Sequence, residues 1–219
     1  MSPLTGQIVN LFAAFLLLLS FAMLSQRRIL SLINLFALQG LALVGSTLTM
    51  AIATGHNHLY FSAAITLLLK VLVLPYILHR LIRRLNVKWD VETLINIPTT
   101  MLVGIGLVIF AFNLALPISQ FSSSIARGTL GIALACVLLS FLMMITRSKA
   151  VPQVIGFLAM ENGLFFAATS ATYGMPMVVE LGIALDVLVG ALILGVFLFQ
   201  IREQFDSLDI YHLEKLKDD

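Results

Sequence analysis

Lys70, Glu161 and Asp186 each sit near the middle of an apolar stretch long enough to cross a bilayer. A Lys or Asp at the centre of a spanning helix costs roughly 2.5 to 3.5 kcal/mol on insertion scales. Side chains retained at that cost mark ion or proton handling inside the membrane, because a carboxyl held in low dielectric can exchange between charged and neutral forms. Glu161 lies about 18 Å from one end of its span, at 1.5 Å per residue. Asp186 lies at a similar depth on the following, antiparallel span. The competing reading is that each acid is hydrogen-bonded to a neighbouring helix or ion-paired with another subunit. Lys70 is too deep for its stem to reach either interface. Pro75, five residues later, has no N–H to offer the carbonyl of Val71, which predicts a kink and a local polar pocket beside the ammonium. Glu180, at the rim of the Asp186 span, and His79, at the inner end of the Lys70 span, are accessory candidates for proton entry or relay.

The elements that must position these groups are helices. The chain has 219 residues, 60% of them hydrophobic and 11% charged, against about 25% charged in an ordinary soluble domain. It has too little polar surface to face water all round. The apolar runs are continuous rather than alternating, so an all-α polytopic membrane protein is expected, not a barrel. About seven transmembrane helices are predicted, near 5–25, 29–53, 59–81, 94–116, 124–146, 150–172 and 177–201, each close to the roughly 20 residues a span requires. The first resembles a signal peptide in hydropathy alone, because its basic residues, Arg27 and Arg28, follow the apolar core instead of preceding it.

Basic residues alternate between connections. Arg27 and Arg28, then His79, Arg80, Arg83, Arg84 and Lys88, then Arg147 and Lys149, and finally Arg202, Lys215 and Lys217 fall on one side. The other connections have no Lys or Arg apart from Arg127. The positive-inside rule places the N-terminus outside and the C-terminus in the cytoplasm.

Several function classes lack their residues. No phosphate loop, nucleophile constellation or basic, aromatic-rich nucleic-acid patch occurs, and catalytic residues, cofactors and metal ligands are all expected to be none. Cys136 is the single cysteine and reads as a small apolar packing residue. His56 and His58 share one loop, and two imidazoles without further ligands read as polar loop more readily than as a metal site. Gly104, Gly106, Gly128 and Gly131 read as points of close helix packing. In the tail, Leu208, Leu213 and Leu216 form a short apolar stripe suited to a cytoplasmic partner.

The chain also echoes itself. Leu18-Leu19-Ser20-Phe21, a basic turn and Leu35-Phe36-Ala37-Leu38-Gln39-Gly40 parallel Leu138-Leu139-Ser140-Phe141, a basic turn and Phe157 through Gly163. Four segments follow: a three-helix unit over 1–92, a connecting helix over 93–123, a second three-helix unit over 124–202 and a tail over 203–219. A parallel duplication and a chance likeness between apolar segments remain equally open.

Ala159-Met160-Glu161-Asn162-Gly163, Val179 through Asp186, Leu69-Lys70-Val71-Leu72-Val73-Leu74-Pro75 and the tail from Leu208 to Lys217 together resemble the hydrogenase-4 component E family of formate hydrogenlyase-type [NiFe]-hydrogenase complexes. The region 124–201 is further similar to the K-type small membrane subunit of respiratory complex I and the C subunit of Mrp-type antiporters. That subunit carries a glutamate in each of its second and third helices. Glu161 matches the first by position; Asp186, followed by Val189-Gly190 and Gln200, matches the second with one methylene less reach. Lys70 has no counterpart there.

The resemblance implies a non-catalytic membrane subunit of an oxidoreductase complex in a bacterial or archaeal cell (inner) membrane. Its partners would be antiporter-like and quinone-site-like membrane subunits and a peripheral [NiFe]-hydrogenase arm, and its role would be to help couple redox chemistry to proton or sodium translocation. The alternatives are a subunit of a redox-independent Mrp-type cation/proton antiporter and an assembly scaffold.

Overall fold

A computed structural model describes residues 3–85, 93–119 and 124–172, together with 188 and 195. Seven α-helical stretches follow one another: α1 (Pro3–Ser25), α2 (Ile29–Thr54), α3 (Asn57–Thr66), α4 (Leu74–Leu85), α5 (Ile97–Ser119), α6 (Ser124–Thr146) and α7 (Ala150–Thr172). A π-helical segment, Leu67–Val73, joins α3 to α4, so these three stretches form one span. By length and composition, six helices among the described residues can cross a membrane. The expected seventh span, 177–201, lies outside the described residues apart from 188 and 195.

Each of these helices follows from its sequence. Uninterrupted apolar residues satisfy the lipid, and helical geometry satisfies every backbone polar group without outside help. Boundaries fall where the sequence supplies a stop. Gly55 ends α2 in the left-handed conformation, φ 70° and ψ 14°, with its N–H donating to the Ala51 carbonyl, a position an L side chain adopts only with strain. Pro98 sits in the first turn of α5, where its missing N–H costs nothing.

Two apolar clusters build the interior. One gathers Met23 and Leu24 of α1, Ile29 to Phe36 of α2, Leu74, Leu78 and Ile82 of α4, Leu139 to Met143 of α6 and Val151 to Ala159 of α7. The other gathers Val9 to Leu16 of α1, Ala42 to Ala51 of α2, Leu59 of α3, Ala133 and Cys136 of α6 and Phe165 and Phe166 of α7. Between them along α1, α2, the third span and α7 come five of the buried polar residues: Ser20 on α1, Gln39 on α2, Lys70 on the π segment, and Glu161 with Asn162 on α7. The bundle is therefore layered, with a polar belt between two apolar blocks. Its outer surface is apolar as well, with Leu18, Ile52, Leu72, Leu102, Ile109 and Ile145 all exposed. That combination suits a hydrocarbon solvent and would be unstable in water.

The glycine expectation holds in part. A Cβ on Gly104 would sit 3.1 Å from Leu139 and 3.2 Å from Phe21, and one on Gly131 would sit 2.8 Å from the Phe112 ring, so both permit close packing around α5. Gly106 does not: nothing lies within 4 Å of its Cβ position, which faces open space. Helical period explains the difference, since residues two apart on a helix point about 200° apart.

The junctions at one end of the bundle are knitted together. Leu94 N–H donates to the Thr146 carbonyl at 2.9 Å, and Thr93 forms a backbone bridge with Arg147. The connections before α5 and after α6 thus meet at the same end.

Candidate functional site: a buried ion pair and its polar belt

The irregular backbone of the third span positions Lys70. A run of i→i+5 hydrogen bonds ends with Leu74 N–H donating to the Leu69 carbonyl, the last donor before Pro75, which has none. Pro75 therefore shows its effect as a seven-residue π segment upstream, with Lys70 inside it. Widening a helix by one residue per turn changes the direction of the side chains it carries, and such segments recur at functional sites. Lys70 packs beside α2 because Gly40 allows it: a Cβ there would lie 3.2 Å from Val71 Cγ2 and 3.6 Å from Lys70 Cβ.

Across this junction α7 presents Glu161. Lys70 Nζ donates to Glu161 Oε1 at 2.7 Å, and the two side chains are 3% and 9% exposed. At that distance in a poorly screened interior, attraction and hydrogen bonding act together. The ammonium also stands 5.1 Å from the centre of the Phe165 ring, one turn along α7 from Glu161, within cation–π range. The ammonium thus has a carboxylate and a ring face as neighbours.

Beside the pair runs a chain of neutral hydrogen bonds. Asn162 Nδ2 donates to Gln39 Oε1 at 3.1 Å, Gln39 Nε2 donates to Ser20 Oγ at 3.0 Å, and Ser20 Oγ–H donates to the Leu16 carbonyl at 2.9 Å. All three side chains are buried. The chain ties α7 to α2 and α2 to α1, while the ion pair ties α7 to the π segment.

Of the sequence candidates, the structure brings together Lys70 and Glu161. Asp186 and Glu180 lie outside the described residues. His79 is half-buried, with Nδ1–H donating to the Pro75 carbonyl at 3.0 Å, so it is tied to the turn that follows the π segment. The His56 and His58 rings lie 5.3 Å apart, and no group of three or more His, Cys, Asp or Glu side chains gathers as a metal set among the described residues.

Sequence reasoning missed three features. It treated Lys70 and Glu161 separately, since 91 residues part them; the readable signal was charge complementarity between two costly mid-span residues. It named Ser20, Gln39 and Asn162 only as repeat letters, although polar residues at mid-span need partners. It read Arg147 as a loop charge. Arg147 is 1% exposed and its Nη2 donates to the carbonyls of Met23, at 3.3 Å, and Leu24, at the end of α1. Burial holds its guanidinium below the usual arginine range.

Over 212 residues, 96% of each chain, the sequence is 31% identical to the uncharacterized protein Rv0085 of Mycobacterium tuberculosis. The chain belongs to the Rv0085 family. It is also 24% identical over 215 residues, 98% of this chain and 100% of the relative, to hydrogenase-4 component E of Escherichia coli and of Shigella flexneri. That homology is distant but full-length, so membership of the Rv0085 family and kinship with component E concern the whole helical bundle and not one half of it. No family model and no solved structure matches the chain.

Proposed function

We propose that this chain is a non-catalytic membrane subunit of a [NiFe]-hydrogenase or complex I-like assembly, in which the Lys70–Glu161 pair helps couple redox chemistry to the translocation of protons or sodium. The observation that carries the reading is the 2.7 Å contact between a buried ammonium and a buried carboxylate on two different spans. Isolated burial of either charge is strongly unfavourable, and the mutual attraction offsets it only while both stay charged and close. A proton that neutralises Glu161, or leaves Lys70, removes the attraction and frees the π segment from α7. A charge event at one span is thereby converted into a change in helix contact. Moving one charge across 100 mV involves about 2.3 kcal/mol, within the range a buried ion pair can store or release.

The kinship with component E supports assembly with other hydrogenase subunits. In this reading the partners are antiporter-like and quinone-site-like membrane subunits and a peripheral hydrogenase arm. Asp186 extends the line of acids on a seventh span, as in the K-type subunit of complex I, with Glu180 as an entry group. The N-terminus lies outside and the C-terminus in the cytoplasm of a bacterial or archaeal cell membrane, following the basic loops.

The test uses the assembled complex. Lys70→Met and Glu161→Gln are each expected to lower proton or sodium movement per hydrogenase turnover while leaving dye-linked hydrogen oxidation intact. Unchanged coupling in both variants overturns the proposal. Mild-detergent purification of the tagged chain is expected to bring down a nickel–iron large subunit; antiporter-like membrane subunits alone would instead favour the antiporter reading.

A further inference from the structure

Two buried acceptors at the junction of α2, the π segment and α7 have no donor among the described residues: Glu161 Oε2 and Asn162 Oδ1. Each belongs to a side chain whose other polar atom is engaged, Glu161 Oε1 with Lys70 and Asn162 Nδ2 with Gln39. Glu161 is 7% exposed and Asn162 0% exposed, so bulk solvent does not supply the donors. The two residues are consecutive on α7, and their partners converge too, since Gly40, next to Gln39, packs on Lys70 and Val71. The orphan acceptors thus occur where three spans meet, inside the polar belt.

We propose that this junction is a binding site for ordered water, which donates to Glu161 Oε2 and to Asn162 Oδ1 and joins the ion pair to the Ser20–Gln39–Asn162 chain. Buried acceptors lacking a donor are strongly disfavoured, and internal water typically makes two to four hydrogen bonds to such groups, about one molecule per 27 residues. Each unfilled acceptor calls for an O–H or N–H donor, and water supplies one. A sodium ion fits worse: it would sit beside the Lys70 ammonium and leave a net buried charge of the same sign. Water supplies donors and adds no charge. The site does not require that the pair change its protonation state, so it stands apart from the coupling role.

The experiment is infrared spectroscopy of the whole chain in lipid nanodiscs, comparing ordinary water with water labelled at oxygen-18. The wild-type chain should show isotope-shifted O–H bands from immobilised water. Asn162→Leu, with the same number and branching of heavy atoms and no acceptor, should lose at least one of them. Absence of such bands from the wild type, or an unchanged set in Asn162→Leu, overturns the proposal.

If that variant does not fold, an antibody-bound structure of the wild-type chain at a resolution that shows water decides the matter. Density within about 3.2 Å of Glu161 Oε2 and of Asn162 Oδ1 supports the site. An Asn162 amide turned to donate directly to Glu161, or a cage of five or more oxygens around the density, overturns it in favour of direct bonding or sodium.

Discussion

Among the described residues, two cations are buried, and in opposite ways. Lys70 lies in the middle of the bundle and is matched by a full counter-charge, the Glu161 carboxylate, at 2.7 Å. Arg147 lies at the end where α1 and α6 finish; among the described residues its Nη2 meets the carbonyls of Met23 and Leu24, and Nε and Nη1 have no partner. No carboxylate among the described residues pairs with it. The last carbonyls of a helix carry about half a negative charge and have no partner inside the helix. A guanidinium laid across them caps α1 and locks it to α6, and it needs no proton chemistry to do so. The comparison separates a structural cation from a candidate working one. The first is fixed by backbone dipoles that cannot titrate; the second is held by a carboxylate that can.

The sharpest way to break this comparison is to remove one member of the pair. Glu161→Leu strands the Lys70 ammonium and Lys70→Met strands the carboxylate, each expected to cost about 3–5 kcal/mol of unfolding free energy. Steric trapping of the chain in detergent would measure the loss. The double variant Lys70→Met with Glu161→Leu should recover most of it, because an apolar pair fits the belt without a buried charge. Additive losses in the double variant would mean that the two side chains act independently.

Arg147→Met should cost less, roughly 1.5–3 kcal/mol, since it removes charged hydrogen bonds to carbonyls and leaves no orphan charge. Its loss, measured the same way, should be the same in the wild type and in the Lys70→Met/Glu161→Leu background, as expected for separate sites. Coupling between the two would show that they form one network.

Gly40→Ala tests the route by which Lys70 approaches α2. The added methyl lies 3.2 Å from Val71 Cγ2, and a cost of about 1–2 kcal/mol is expected for overpacking at that contact. Cysteines placed at 70 and 161 should also cross-link more slowly in this variant if the π segment is pushed from α7. The smallest effect belongs to Gln153→Ala. Gln153 Nε2 donates to the Arg147 carbonyl at 2.8 Å, an ordinary hydrogen bond worth roughly 1 kcal/mol or less. A larger loss would show that the Arg147 turn depends on that single contact.

The spans themselves were readable because lipid leaves few choices. An apolar run of about 20 residues must bond its backbone internally, so hydropathy alone predicts α1, α2, α5, α6 and α7 nearly to their ends. Lys70 and Glu161 were readable as costly for the same reason, since each places a charge in mid-span. Pro75 announced an irregular helix, yet not its form. Whether the lost N–H produces a kink or a π segment depends on what the neighbouring helix accommodates, here the bare surface of Gly40.

Partnership was not readable. Lys70 meets Glu161 across 91 residues, and Asn162 meets Gln39 across 123, because helices distant in sequence pack side by side. Arg147 and Lys149 stand two residues apart in one turn, and their letters alone give no reason for Arg147 to be buried. One-dimensional hydropathy thus determined which stretches are long and apolar enough to span a membrane and which charges are costly within them. Which charges are matched, which cap a helix and which acceptors stay open was decided by helix packing, since a partner's distance is a property of three-dimensional contact and not of spacing along the chain.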